Sequence, residues 1–168
     1  VVAACVVMPK DNLILGIDDS KKITEKRREA LFTQITESAV DYAVCMVDER
    51  EIDEVNILNA ARKAFMGALT GLNIKPDHVY TDAMALETSL PCTAVIKGDA
   101  KIYTVAAASI IAKVTRDRIM LEYDKTYPEY GFARHKGYGT KIHYNALEKY
   151  GILSIHRKTF LKKFLEKR

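Results

Sequence analysis

The chain has 168 residues, of which 48% are hydrophobic and 29% are charged, a composition that fits one folded domain and excludes a disordered segment. No apolar run approaches the roughly 18 residues that a membrane span needs, so we expect no membrane partner. The three cysteines, Cys5, Cys45 and Cys92, are odd in number and widely spaced. Their pattern predicts free, buried thiols in a reducing cytoplasm rather than a disulfide framework or a zinc site.

The net charge of +4 is distributed unevenly along the chain. Residues 134–168 contain ten Lys and Arg against two Glu, a net charge of +8, whereas residues 1–133 have a net charge of −4. A polyanion such as nucleic acid would be attracted to the basic segment. A solvated, lysine-rich helical tail explains the same charge equally well, so both interpretations stay open.

In the first half of the chain, short apolar runs alternate with turn residues and with apolar stripes at helical spacing. The pattern predicts, in chain order, a buried strand over residues 1–8, a turn-rich segment over 9–20, a helix capped by Thr24 and reaching Ala39, a strand over 41–47, a polar turn over 51–56 and a helix over 57–70.

The second half begins with two short strands and ends in helices. The pattern predicts a strand over 78–81, a strand over 93–96, a long helix over 105–123, a glycine-containing loop over 131–140, a helix over 141–150 and a basic amphipathic helix over 157–168. Because strands and helices alternate, we expect an α/β layer architecture.

Two aspartates share an unusual setting, since Asp82 and Asp99 each follow a short apolar strand. Ligands gather at the carboxyl ends of strands in open α/β sheets, and two carboxylates there could share Mg²⁺ or Mn²⁺. Asp is also common in turns, and Gly98 beside Asp99 favours that simpler explanation. A third acid, Asp117, lies between two arginines on a predicted helix and is typical of a salt-bridge partner, although it would face the site if that helix packs below it.

Two polar loops carry groups that suit nucleic acid. Ser20 and Lys21 could hold a phosphate, although a polar turn before a helix explains them as well. In the second loop, glycines bracket Tyr138, so the backbone can approach a ligand while the ring stacks on a sugar or base. The alternative is a surface loop whose tyrosine packs locally. Four cationic or titratable residues surround this tyrosine: His135, Lys136, Lys141 and His143.

Segments spread over nearly the whole chain match a known family in the family's order: Val1-Val2-Ala3-Ala4, Asp19-Ser20-Lys21-Lys22, Asp48 to Asn56, Thr81-Asp82-Ala83, Lys97-Gly98-Asp99-Ala100, Ala106 to Arg118 and Gly137-Tyr138-Gly139-Thr140. Through them the chain resembles bacterial ribonuclease HII, the type 2 ribonuclease H. The stretch from Ala106 to Arg118 is the most specific of these, and no short segment would suffice alone.

The resemblance implies an α/β, RNase H-like fold, with a mixed central sheet flanked by helices and a C-terminal helical extension. Residues 1–130 would form the catalytic domain, and residues 131–168 the basic extension of the same compact unit. The implied activity is endonucleolytic cleavage of the RNA strand of RNA–DNA hybrids and of duplex DNA containing single ribonucleotides. We expect a cytoplasmic monomer.

The resemblance also implies the site residues. Asp82 and Asp99 match the family's third and fourth metal-binding acids, which hold two divalent cations, Mg²⁺ or Mn²⁺. Tyr138 matches the tyrosine that stacks on the ribose at the RNA–DNA junction, and Ser20 with Lys21 matches the segment that contacts backbone phosphate. Further candidates for nucleic-acid contact lie beside Tyr138: Lys136, Lys141 and His143.

One departure from the family concerns the start of the chain. The family has an Asp-Glu-Ala-Gly-Arg-Gly stretch just ahead of its Val-Val-Ala-Ala segment, which supplies two more acids and a loop that reads the 2′-hydroxyl. That stretch does not precede Val1 here. The family's first strand is therefore expected to be missing, and either the sequence is N-terminally truncated or the fragment is inactive; we predict the activity for the complete protein and not for these 168 residues alone.

The mechanism that the resemblance implies is two-metal-ion phosphodiester hydrolysis, which cuts 5′ to a ribonucleotide and leaves 5′-phosphate and 3′-hydroxyl ends. Two alternatives stay open. The basic segment and Tyr138 would also suit a nucleic-acid-binding module without catalysis. Asp82 and Asp99 would also suit another metal-dependent nuclease on the same fold, one that does not need RNA.

Overall fold

Two small sheets contact one long helix. The computed structural model describes residues 1–166. Strand β1 (Val2–Val7) pairs antiparallel with β2 (Asp41–Met46), from Val2 opposite Met46 to Val7 opposite Asp41. Strand β3 (Val79–Asp82) pairs parallel with β4 (Cys92–Val95). The sheet character is therefore mixed, as expected, but it is divided between two separate pairs of strands.

Helices fill most of the remaining described chain. They are α1 (Glu25–Ser38), α2 (Glu49–Val55), α3 (Ile57–Thr70), α4 (Tyr103–Thr126), α5 (Phe132–His135), α6 (Lys141–Tyr150) and α7 (Lys162–Leu165). Three short 3₁₀ turns accompany them, at Gly98–Ala100, Pro128–Tyr130 and Lys158–Leu161. In residues 1–166 we find no helix that is both long and apolar enough to cross a membrane.

Side-chain caps explain where several helices begin. Thr24 accepts a hydrogen bond from the Arg27 amide at the start of α1, as predicted. The polar turn predicted over residues 51–56 is wrong, because Asp48 accepts from the Glu51 amide at 2.9 Å and starts α2. Ile52 is the single buried residue of α2, so this segment has almost no apolar stripe by which a helix could be predicted.

The core lies on both faces of β1. Ala4, Val6 and Met8 face a cluster made with α1 and α4, whose fully buried members include Ile110 and Ile111. Ala3, on the opposite face of the strand, belongs to a second cluster with α2 and α3. Alternate side chains of a strand point to opposite faces, and both faces of β1 are covered here. The long helix α4 is therefore fixed against β1, and β3 also contacts it.

The C-terminal elements pack on the second half of α4 through a third cluster. Tyr130, Phe132 and Leu147 are its most buried members. The segment predicted as a loop over residues 131–140 begins with α5. The helix predicted over 157–168 is a 3₁₀ turn followed by α7, and its last two residues, Lys167 and Arg168, lie outside the described residues.

The three cysteines are free thiols, as predicted, but each is only partly buried.

Candidate metal and nucleic-acid site

The pairing of β3 and β4 brings Asp82 and Asp99 to one edge of the sheet. Asp82 is the last residue of β3, and the parallel register places it opposite Val95, near the end of β4. The chain then turns through Lys97, which has a left-handed backbone with φ of 57°, into the 3₁₀ turn that contains Asp99. The two acids predicted from their strand-end setting therefore lie at neighbouring strand ends.

Gly98 is the point at which these two strand ends touch. Its amide donates a hydrogen bond to Oδ1 of Asp82 at 2.9 Å. A Cβ atom at this position would lie 3.1 Å from the carbonyl oxygen of Thr81 and 3.3 Å from Cα of Asp82. Because both neighbours are backbone atoms, they yield little to a side chain. The close approach of the two acidic turns therefore depends on glycine.

A lysine from the first half of the chain faces both acids. Nζ of Lys21 lies 3.4 Å from Oδ2 of Asp99, whose side chain is buried while that of Lys21 is exposed. Partial desolvation acts to lower the pKa of Lys21. The hydrogen bond to Asp99 and the negative charges of Asp99, Asp19 and Asp82 outweigh this effect, so the pKa of Lys21 is raised. Both predicted acids thus act on the same ammonium group.

The acids line a groove of about 600 Å³ between the two sheets. One wall of the groove is β1 and the other is β3, each contributing consecutive residues, and α4 forms part of the lining. Within residues 1–166, β1 pairs only with β2, and β3 pairs only with β4. Two open strand edges therefore face each other across the groove that holds Asp82 and Asp99.

The donor set in the groove suits a hard cation, because carboxylate oxygen is the ligand type that Mg²⁺ and Mn²⁺ prefer. Residues 1–166 contain no group of three or more His, Cys, Asp or Glu side chains placed to hold one ion. Asp117 does not add to the set. It is buried and pairs with Lys113 at 2.5 Å and Arg28 at 3.7 Å, which confirms the predicted salt bridge.

The predicted phosphate-binding pair is divided between the surface and the interior. The Ser20 hydroxyl is buried and lies 2.7 Å from the hydroxyl of Ser109 on α4. The Lys21 side chain lies exposed at the groove. The geometry therefore leaves the Lys21 side chain, paired with Asp99, accessible to a ligand, while Ser20 fixes the loop to α4.

Tyr138 is presented at the surface, with 58% of its area exposed. Gly137 before it has φ of 78°, a left-handed backbone conformation that favours glycine. The guanidinium carbon of Arg116 lies 5.0 Å from the centre of the Tyr138 ring, within cation–π distance. The sequence pattern linked Arg116 only to Asp117, because only the fold brings this part of α4 next to Tyr138.

The other predicted contacts around Tyr138 differ in their access to solvent. Lys141 is exposed. Lys136 is largely covered, since its Nζ donates to the carbonyl of Ala133 at 2.8 Å and lies 3.5 Å from Glu25. His143 is 7% exposed, and both of its ring nitrogens have partners in the protein. Contact of these three residues with nucleic acid stays a prediction.

One helix connects the groove to the tyrosine loop. Lys113 of α4 lines the groove, and Arg116, one helical turn further on, donates to the carbonyl of Lys136 at 2.7 Å. The loop that presents Tyr138 is therefore attached to the same rigid element as the groove.

Comparison with known proteins places the chain among ribonucleases H. The family model for ribonuclease HII matches residues 1–163. The chain is 52% identical over 166 residues to a ribonuclease HII of Acetivibrio thermocellus, covering 98% of this chain and 65% of that relative. It covers 62% of a 51% identical ribonuclease HII of Bacillus cytotoxicus. The chain thus spans slightly less than two thirds of the length of these curated relatives.

Two solved structures are similar to the chain. One is the ribonuclease H2 from Pyrococcus horikoshii, with a TM-score of 0.75 and 27% identity over 100% of both chains. The other is from the PCNA:RNase HII complex of Archaeoglobus fulgidus, with a TM-score of 0.73 and 27% identity over 87% of this chain and 78% of that one. These similarities confirm the fold class that was expected from the sequence.

Proposed function

Because the chain belongs to the ribonuclease HII family, we propose that it acts on RNA–DNA hybrids and on duplex DNA containing single ribonucleotides. The reaction is endonucleolytic hydrolysis of the RNA strand, or of the bond 5′ to an embedded ribonucleotide, leaving 5′-phosphate and 3′-hydroxyl ends. The observation that carries the proposal is the convergence of Asp82 and Asp99 on one groove, linked through Gly98.

Two divalent cations, Mg²⁺ or Mn²⁺, fit the carboxylate oxygens of this groove, and Asp82 and Asp99 would hold them. When bound, such ions generate hydroxide from water at neutral pH and stabilise charge on the attacked phosphate and the leaving oxygen. In the structure, the Asp99 carboxylate forms an ion pair with the Lys21 ammonium group, whose Nζ lies 3.4 Å from Oδ2. With Asp99 engaged by a cation, the Lys21 ammonium group would exchange its contact with Asp99 for one with a substrate phosphate.

Tyr138 has the surface position that ribose recognition requires. Its exposed ring would stack on the sugar at the RNA–DNA junction, with Arg116 behind it and the exposed Lys141 nearby in the chain to meet phosphate. The net charge of +8 over residues 134–168 attracts the duplex to this side of the protein. We propose that the protein acts as a cytoplasmic monomer.

The groove also supports a place for the strand that the family carries ahead of its Val-Val-Ala-Ala segment. A strand laid between β1 and β3 would satisfy both open edges and join the two sheets into one. An Asp-Glu pair on that strand would then lie in the groove that Asp82 and Asp99 line. Four carboxylates, rather than two, would complete the set that the family uses for two cations.

A binding module without catalysis is the second candidate function. It is favoured by one observation: Asp77 lines the groove together with Asp82 and Asp99, yet residues 1–166 contain no cluster of three or more His, Cys, Asp or Glu side chains placed to hold one ion. The basic C-terminal segment and Tyr138 would be sufficient for binding alone.

A cleavage assay with two duplexes tests these functions. The chain is incubated with Mg²⁺ or Mn²⁺ and either an all-DNA duplex or the same duplex with one ribonucleotide. Each reaction is run with and without a synthetic peptide that carries Asp-Glu-Ala-Gly-Arg-Gly. We expect metal-dependent cleavage at the ribonucleotide only, and only in the reactions that contain the peptide. Binding without cleavage in every reaction favours the binding module, and equal cleavage of both duplexes contradicts a ribonuclease H activity.

A further inference from the structure

Three histidines from separate elements form a buried cluster beneath the Tyr138 loop. His135 lies at the end of α5, His143 is in α6, and His156 precedes the last 3₁₀ turn. Their exposed fractions are 6%, 7% and 7%. The rings of His135 and His143 stack with centres 4.4 Å apart, and those of His143 and His156 are 5.3 Å apart. We call these three residues the histidine cluster.

Hydrogen bonding fixes which nitrogen of His143 and His156 carries the proton. Nδ1 of His143 lies 3.1 Å from the carbonyl oxygen of Tyr138. A carbonyl only accepts, so this Nδ1 donates, and Nε2 of the neutral ring is an acceptor. Nε2 of His156, 3.1 Å away, must then be the donor between the two rings. Nδ1 of His156 lies 3.0 Å from the Leu153 amide and 3.3 Å from the Leu153 carbonyl oxygen, and in the neutral ring it accepts from the closer amide.

The same reasoning fixes His135. Its Nε2 lies 2.9 Å from the carbonyl oxygen of Tyr130 and therefore donates. Its Nδ1 is then an acceptor, and the amide of Gly137 donates to it at 3.2 Å. The two stacked rings thus hold the backbone on both sides of one peptide unit, at the amide of Gly137 and at the carbonyl of Tyr138.

We propose that His143 and His135 are positioning residues for Tyr138. Their neutral, complementary tautomers hold the backbone of Gly137 and Tyr138 in one conformation, so that the exposed tyrosine ring is presented at one place. The substrate consequence, selection of a ribonucleotide-containing duplex, rests on the proposed function. The conformational order of the Gly137–Tyr138 backbone does not depend on the proposed function and can be measured without nucleic acid.

The hydrogen-bond pattern tolerates no added proton. A proton on His143 would place N–H groups on both Nε2 atoms, 3.1 Å apart, where the present arrangement has one donor and one acceptor. Burial opposes this protonation and lowers the pKa of His143 to about 4; the hydrogen bond to the Tyr138 carbonyl acts in the opposite direction, and His135 and His156 lower the pKa further. Burial also lowers the pKa of His156. Other titratable groups line the adjoining cavity with His143 and His156: Asp48, Glu49, Arg116, Tyr123, Tyr144 and Arg157.

Two amide variants of His143 separate positioning from simple filling of space. In His143→Asn the side-chain amide occupies the position of Nδ1 and keeps a donor for the Tyr138 carbonyl. In His143→Gln the amide reaches the position of Nε2, so it keeps the contact with His156 and loses the contact with Tyr138. The variants share one functional group, and a role limited to packing within the histidine cluster would not favour Asn over Gln.

The first measurement is NMR on the 168-residue chain at neutral pH. Ring ¹⁵N shifts should show a proton on Nδ1 of His143 and on Nε2 of His135 and His156. The order parameter of the Tyr138 amide should be about 0.85 in the wild type and in His143→Asn, and below about 0.6 in His143→Gln. The opposite tautomers, or equal order in the two variants, whether high or low, would overturn the proposal.

The second measurement is the ratio of affinities for a single-ribonucleotide duplex and the matching all-DNA duplex. His143→Gln should lower this ratio on the order of tenfold, the scale of one stacking contact, and His143→Asn should keep it within about twofold. A wild-type ratio of one would contradict the proposed function. In that case the order of the Tyr138 amide alone decides whether the histidine cluster positions the loop.

Discussion

The amide of Gly98 donates to Oδ1 of Asp82 at 2.9 Å, and this bond links the ends of two parallel strands. It sets the separation of the two candidate metal-binding acids before any ligand binds. The second acid, Asp99, is the next residue along the chain from the donor. A carboxylate pair held by its own backbone needs little reorganisation when a cation arrives, which favours binding by preorganisation.

Gly98→Ala should weaken cation binding. The new Cβ would lie 3.1 Å from the Thr81 carbonyl oxygen and 3.3 Å from Cα of Asp82, so the two turns must move apart by a few tenths of an ångström. We expect the Mn²⁺ dissociation constant, measured by electron paramagnetic resonance, to rise several-fold. Ala100→Ser, at an exposed position of the same turn, is the control and should bind as the wild type does. Unchanged affinity in Gly98→Ala would show that the separation of the turns does not matter.

Asp82→Asn should abolish cleavage, by a factor of at least about 10², while duplex binding stays within about twofold. The amide oxygen of Asn still accepts from Gly98, so the turn keeps its shape, but the charge that holds a cation is lost. Cleavage is measured under the conditions in which the chain cuts the single-ribonucleotide duplex, and binding by fluorescence anisotropy. Asp11→Asn, an exposed carboxylate in the turn after β1, serves as the matched control. Full turnover in Asp82→Asn would refute the assignment.

Tyr138→Ala should lower the preference for a ribonucleotide-containing duplex on the order of tenfold, because it removes the exposed ring. Tyr138→Phe keeps the ring and its contact with Arg116 and should retain most of the preference. Affinities for matched duplexes with and without one ribonucleotide give the ratio. Cation binding at Asp82 should not change in either variant. Equal preference for the ribonucleotide-containing duplex in the Ala and Phe variants would show that the Tyr138 ring does not contribute to recognition.

Lys21→Gln should weaken binding to a hybrid and reduce the slope of log K against log salt by about one, as expected when one phosphate contact is lost. The measurement is a salt titration of hybrid affinity. Lys10→Gln changes the charge equally at an exposed position on the turn after β1 and should leave the slope unchanged. Equal slopes in the two variants would mean that Lys21 acts only through the general charge of the surface.

The histidine cluster should make stability depend on pH in the mildly acidic range. The folded pKa of His143 is about 4, whereas the ordinary value is 6.5. The unfolded chain therefore binds more protons between these values, and stability falls as pH decreases from 6.5 toward 4. His143→Asn lacks this titration, so the gap in melting temperature between wild type and variant should narrow as pH falls from 7 to 4.5. A difference in melting temperature that stays constant with pH would show that the pKa of His143 is the same in the folded and unfolded chain.

Local signals were sufficient for the parts of the fold that depend on neighbours in sequence. The cap at Thr24 and the apolar spacing over residues 57–70 predicted the start of α1 and the bounds of α3. Helix α2 escaped prediction because its only buried residue is Ile52, and a short charged helix of this kind resembles a polar turn. Its start depends on the cap at Asp48, whose side chain accepts from the Glu51 amide.

The candidate site was predictable only where it follows from strand ends. Asp82 and Asp99 share a strand-end setting, and parallel pairing brings such positions together without further information. The histidine cluster has no comparable signal. Its members come from three separate elements, and none is spaced from another by the four residues that indicate a shared helix face. His143 therefore looked like a surface contact, and only packing shows it buried.

The 24-residue helix α4 connects the groove that holds Asp82 and Asp99 to the loop that presents Tyr138. Lys113 lines the groove and Arg116 contacts the tyrosine loop, and these two residues of α4 are one turn of helix apart. Adding one residue within that turn would swing the loop by about 100° around the helix axis relative to the acids, while lengthening the helix by only about 1.5 Å. If the proposed roles hold, the offset between the ribose that Tyr138 contacts and the bond near Asp82 and Asp99 is set by the geometry of this one helical turn.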